Sequence, residues 1–190
     1  MSSLDDRNKV NIIFPSKEVM MTKKMEKSLL IGLILLMGIF VSVAHGDSLS
    51  TTSVNQLPGI ISGERGRPTV VMLFSSGCPL CRNVWPRLLD FAKQVRDKNV
   101  AFLAFSTDED KEKAADFVSN YSIPFNCYWV EPWSPGQLDA SMKAMGIQIG
   151  KSFLIPLVAV LDSNGRVVAQ WQGLRDISQV RSALESIDAL

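Results

Sequence analysis

Residues 70–86 read VVMLFSSGCPLCRNVWP. An apolar, β-branched run ends at Ser75, Ser76 and Gly77, and Cys78-Pro79-Leu80-Cys81 follows directly. Beyond the cysteines, Val84, Leu88, Phe91 and Val95 recur at helical spacing. A buried strand therefore feeds a helix whose first turn carries two thiols. Two cysteines in this spacing can close a small disulfide loop with little backbone movement. A sulfur at a helix N-terminus meets unpaired backbone N–H groups and the positive end of the helix dipole, which favour a thiolate there. The thiolate is the form that attacks disulfides, so Cys78 is the candidate nucleophile and Cys81, one turn further in, the candidate resolving thiol.

Working outward, Pro68 opens a strand over 69–74, and the helix is expected over 78–98. The short apolar run 100–105 fits a buried parallel strand. Ser106 and Glu109 have capping-box spacing, so Asp108, Glu109 and Asp110 read as carboxylates complementing the N-terminus of a helix that ends near Asn120. A strand over 123–130, a loop with two prolines over 131–136 and a short helix over 137–145 come next. Strands over 157–161 and 167–171 flank Asp162-Ser163-Asn164-Gly165, a strong hairpin signal, and an amphipathic helix over 177–187 closes the chain. The order implies an α/β fold: a central mixed sheet flanked by helices, with CxxC at a helix N-terminus.

The N-terminal part reads differently. Residues 29–44, LLIGLILLMGIFVSVA, carry no charge, Lys23, Lys24 and Lys27 precede them, and Ala44-His45-Gly46 offers small residues for cleavage. Residues 1–46 are therefore read as a signal peptide or an N-terminal membrane anchor. The apolar run is shorter than the ~20 residues that usually span a bilayer, which favours cleavage. The long stretch before it makes Met20, Met21 and Met25 alternative starts or favours retention as an anchor. Both readings export the remainder. Residues 47–67, polar and rich in Ser, Thr and Gly, read as a linker with a short edge strand at 59–62, and 68–190 as the folded domain.

The chain has 190 residues, is 46% hydrophobic and carries a net charge of +1, enough for a real core and without a basic face for nucleic acid. A domain of this size does not need a disulfide staple, and so local a bridge constrains the unfolded chain little. Export thus leaves Cys78 and Cys81 chemical rather than structural. Cys127, the third cysteine, reads as a buried free thiol, the alternative for an odd cysteine in an exported protein being a reactive thiol or a pair with another chain. Trp129 and Trp171 read as packing residues, and Trp133, on the proline-rich loop, as packing or partner-contacting.

This element order, with CxxC after a strand of a βαβ pattern, resembles the thioredoxin fold over residues 67–190, and the exported setting looks most like the periplasmic TlpA/ResA type. Pro86, where thioredoxins carry a helix-kinking proline, and Gly173, at the end of the hairpin, strengthen the match. So does Ile155-Pro156: the resemblance implies a cis-proline loop facing the CxxC, with the Ile155 backbone pairing with a bound substrate strand. Gly77 and Pro79 border the same surface. Two positions depart from the pattern. Gly77 stands where many relatives have tryptophan, and Met72 where many thioredoxins have a buried acid that assists the second thiol. For a chain exported by its N-terminal segment, the resemblance implies a thiol–disulfide oxidoreductase that reduces periplasmic proteins bearing cysteines and is recharged by a membrane electron donor. A monomer is expected, because the sequence has no room for the separate dimerisation domain of the large disulfide isomerases. Its redox element would be the Cys78–Cys81 couple, with no metal and no separate cofactor, and it would touch the membrane only through the N-terminal segment. The alternatives are an oxidase or isomerase of the DsbA/DsbC kind and a Cu(I) carrier of the Sco type. The available insertion is short for DsbA. The sole histidine, His45, sits at the signal junction, and the cysteine spacing is one residue shorter than in Sco.

Overall fold

The computed structural model describes residues 49–150 and 152–190. The signal peptide or anchor expected over 1–46 lies outside them. Among the described residues no helix is long and apolar enough to cross a membrane.

Six strands form one mixed sheet: β1 (Ser50–Thr52), β2 (Thr69–Phe74), β3 (Ala101–Ser106), β4 (Asn126–Val130), β5 (Leu157–Leu161) and β6 (Val167–Gln172), in the spatial order β1-β4-β3-β2-β5-β6. β1 to β4 are parallel where they pair; β5 runs antiparallel to β2, and β6 antiparallel to β5. β2 is central, and all six of its residues are buried. Its side chains alternate between two cores, as the pleat demands. Val70, Met72 and Phe74 face one core with α2 (Pro79–Gln94), α3 (Lys111–Ser119) and α5 (Ser178–Glu185). Val71 and Leu73 face the other with α1 (Leu57–Ser62) and α4 (Pro135–Lys143). Burial on both faces explains why β2, β3 and β5 read as continuous apolar runs.

On the first face, Trp85 of α2 is fully buried, with ring centroids 4.5 Å from Phe74, 5.3 Å from Phe117 and 6.2 Å from Phe125. This cluster locks the first turns of α2 onto the end of β2. The helix continues through Pro86, whose ring lies on the exposed side. It ends at Gln94, earlier than expected. A short 3-10 turn (Arg96–Lys98) follows, and Asn99 takes a left-handed conformation at φ 55°.

The segment expected to be a linker belongs to the fold. Residues 50–52 form the sheet edge, and the strand expected at 59–62 is instead the helix α1. Pro58 sits in the first turn, where its missing N–H costs nothing. Leu57 and Ile61, one helical turn apart, seal the second core with Val54. The Ser141 hydroxyl donates to the Val54 carbonyl at 2.6 Å, tying the segment to α4. The polar composition concealed this because only one narrow stripe of it is apolar. The remaining differences are shifts at element ends, of which the α3 start bears on the site.

Because Leu57 is completely buried, Leu57→Ala is expected to cost about 2–5 kcal/mol in urea unfolding, as for any core leucine. An unchanged midpoint would return the segment to the status of a linker.

Candidate active site

β2 and β3 end side by side, and the loops leaving their C-terminal ends build the site. After Phe74 the chain turns through Ser75–Gly77. The Cys78 N–H donates to the Ser75 carbonyl at 3.1 Å, and Cys78 becomes the N-cap of α2 in an extended conformation. Its sulfur accepts from the Cys81 backbone N–H at 3.0 Å, so it occupies the place of a capping oxygen. The same sulfur lies 3.5 Å from the Ile155 carbonyl oxygen. Cys78 is half-buried and Cys81 fully buried, and both are free thiols in this structure. Burial above all pushes the Cys81 thiol far above its usual value; its hydrogen bond to Cys78 and the charge of Cys78 push the same way.

The Ile155–Pro156 peptide is cis, as expected. The Pro156 carbonyl accepts from Gly173 and Leu174 N–H at 2.9 and 3.2 Å, which fixes the loop against the end of β6. Gly173, at φ 67°, sits in the left-handed region, and a side chain there would approach Leu154 and Leu80. A second cis proline, Pro132, was not anticipated.

A groove of about 1020 Å³ runs beside the cysteines between Ser75–Gly77, the 107–110 turn and the Phe153–Ile155 loop, with Trp133 on its wall. Gly77 and Ile155 thus share one surface, and Trp133 both packs against the second core and lines the groove. A side chain at Gly77 would meet only Ser75 Oγ, at 3.8 Å, an ordinary contact. Pro79 occupies the first turn of α2, exposed and outside the groove lining. Leu154, 68% exposed, is the most exposed large apolar side chain beside it.

The 106–110 turn is the main correction to the sequence reading. The helix cap is Asp110, which accepts from Glu112 N–H at 2.9 Å, and Ser106 with Glu109 forms no capping box. Asp108 is instead buried, with its carboxylate on the Ser75 and Ser76 side chains. Gln170 and Gln172 of β6 hold the other side of the site. Gln172 accepts from Leu154 N–H at 3.0 Å and donates to the Ile149 carbonyl at 3.2 Å, while Gln170 exchanges two bonds with the Gln148 backbone. Their one signal was a pair of amides alternating along an edge strand.

Cys127 is buried in β4 as expected, and burial pushes its thiol up to about 12. Among the described residues no three His, Cys, Asp or Glu side chains gather as a metal-binding group.

This is the thioredoxin-like architecture, the fold of thiol–disulfide oxidoreductases. Residues 66–167, more than half of the chain, match the family described as thioredoxin-like, and the chain belongs to that family. A protein named probable nucleoredoxin 1, from Arabidopsis thaliana, is 30% identical over 105 residues, covering 54% of this chain and 16% of its own length. The chain thus spans only a small part of that curated relative. A thiol:disulfide interchange protein of Chlorobium tepidum TLS superposes with a TM-score of 0.55 at 19% identity, covering 66% of this chain and 82% of its own. A secreted Mycobacterium tuberculosis disulfide oxidoreductase, described as homologous to E. coli DsbE, gives 0.51 at 17% identity, with 65% and 84% covered.

The Cys127 shift has a consequence for stability. An unfolded thiol ionises near 9.0, whereas the folded one holds its proton to about 12. Its contribution is complete below pH 9 and is lost as pH rises through that window, at about 1.4 kcal/mol per pH unit. The stability gap between wild type and Cys127→Ala should stay constant up to pH 8 and shrink above 9. A gap unchanged to pH 10.5 in denaturant titrations would contradict the burial argument.

Proposed function

We propose that this protein is an exported thiol–disulfide oxidoreductase that reduces disulfides in exported client proteins through Cys78 and Cys81. The observation that carries the reading is Cys78 Sγ, seated on the α2 N-terminus and facing the Ile155 carbonyl beside a cis proline. The apolar segment at 29–44 supports export, and the resemblance to TlpA/ResA-type proteins supports the reducing direction.

The Cys78 thiolate attacks one sulfur of a client disulfide; a mixed disulfide forms and the client's other sulfur leaves as a thiolate. Cys81 then loses its proton and attacks Cys78 Sγ. The second client thiolate leaves, the client has gained two electrons, and the protein is left with a Cys78–Cys81 disulfide. A dithiol donor at the membrane returns those electrons by the reverse exchange.

The causes of the Cys81 shift give this sequence its order. While Cys78 is free, burial, its hydrogen bond and its charge together hold the Cys81 proton. Once Cys78 is in a mixed disulfide, its charge is gone, and burial is left opposed by the backbone hydrogen bonds that lower the Cys81 value. The Cys81 proton is thereby held until Cys78 has engaged a client. With Met72 where an acid would assist, the proton leaves to water or to the departing client thiolate.

The deciding experiment equilibrates the purified chain with dithiothreitol buffers and reads the couple by thiol alkylation. A strongly reducing couple supports the proposal, and a strongly oxidising one makes the protein a disulfide-forming enzyme. A pair that never cycles, or that binds Cu(I) and resists oxidation, ends the exchange reading. In parallel, Cys81→Ser should accumulate mixed disulfides with client proteins, and Cys78→Ser should abolish exchange. Equal trapping by both variants would remove the division of roles.

A further inference from the structure

Building on that exchange reading, we propose that Asp108 is a positioning residue for Cys78, acting through Ser75 and Ser76. Asp108 is only 8% exposed, and none of the salt bridges among the described residues involves it. A buried carboxylate without a cation is costly unless hydrogen bonds satisfy it. Here the 75–76 segment supplies most of them. Oδ1 accepts from Ser75 Oγ at 2.8 Å, Ser76 Oγ at 2.8 Å and Ser76 N–H at 3.1 Å. Oδ2 accepts from Ser76 N–H at 2.9 Å and Ser106 Oγ at 2.7 Å.

The direction of these bonds is set by their neighbours. Ser75 Oγ accepts from Gly77 N–H at 3.3 Å, and Ser106 Oγ accepts from Asp108 N–H at 3.1 Å, so each hydroxyl proton points to the carboxylate. The network suits an acceptor-only group; an amide would set an NH₂ against donors whichever way it turned. Asp108 is itself held, because Trp129 Nε1 donates to its carbonyl at 2.7 Å.

On the other side of the clamp, the Ser75 carbonyl receives Cys78 N–H, and Arg82 Nε donates to the Ser76 carbonyl at 2.8 Å. The loop so fixed sets the backbone of Cys78 and lays its sulfur on Cys81 N–H. In the disulfide form the S–S bond locates both sulfurs by itself. In the dithiol form the loop and the Cys81 N–H together locate Cys78 Sγ, at 3.0 Å, a hydrogen bond that a free thiolate accepts more strongly than a disulfide sulfur. The clamp therefore stabilises the dithiol form over the disulfide.

The test measures the equilibrium of wild type, Ser75→Ala, Ser75→Thr and Asp108→Asn with dithiothreitol, together with their thermal unfolding. Ser75→Ala and Asp108→Asn should favour the disulfide about tenfold more than wild type, a potential about 30 mV more negative. Ser75→Thr, which keeps the hydroxyl, should stay close to wild type. Lowered melting temperatures with unmoved potentials would make the network purely structural and overturn the proposal. A shift toward the dithiol in Asp108→Asn would overturn it differently, showing that the charge acts and not the clamp. Ser75→Ala decides alone if Asp108→Asn does not fold. A wild type that fails to cycle would defeat the exchange reading itself, whereas a cycling wild type with unmoved variants defeats only this inference.

Discussion

A sulfur held on the open end of one helix is the constraint from which the site is built. Cys78 Sγ accepts from Cys81 N–H at 3.0 Å, and the bond exists only if α2 begins immediately after a tight turn. Three things guarantee that start. β2 is clamped on both sides, paired with β3 over its full length and with β5 over most of it. The Ser75 carbonyl takes the Cys78 N–H, turning the chain. Trp85, packed between Phe74 and Phe117, then pins the second turn of the helix to the strand it has just left. Aromatic burial of this size is what makes a short turn rigid enough for chemistry.

Chemistry falls at this end of the sheet for a general reason. Parallel strands finish together, and the loops beyond them converge while the strands' own backbone groups are already paired. Here the 75–77 and 106–110 loops leave neighbouring strands, and the Ile155–Pro156 loop arrives from the opposite direction into the antiparallel β5. The result is a groove with one wall from each type of connection. Both walls are stiffened by side chains bonding to backbone: serines and a carboxylate on one, the glutamines of β6 on the other.

The strand–helix order, the pairing of the hairpin and the place of both cysteines were legible because each rests on local patterns: runs of apolar residues, helical spacing and Asn-Gly between two strands. β2 and β5 appear with the bounds read from the sequence. The cis state of Pro156 was legible only through family resemblance, since X-Pro bonds are mostly trans. What escaped depends on partners distant in sequence. Asp108 meets Ser75 and Ser76 more than thirty positions away, and in isolation a carboxylate near a helix start looks like a cap. The 50–62 segment looked like a linker because its few apolar side chains gain meaning only against α4.

Cys81 shows how the same burial serves two ends. Removing that thiol from water strengthens the core beside Val84 and Trp85, and it also withholds the thiolate that would resolve a mixed disulfide. A more exposed second cysteine would ionise more readily and compete with Cys78 for incoming disulfides; the internal bond itself forms only after a disulfide has been attacked, because closing it passes two electrons to that disulfide. A buried one waits, because two of the influences that hold its proton come from Cys78 and vanish when Cys78 is consumed. In the proposed exchange, the order of the two thiols thus follows from packing and Coulomb's law at one helical turn.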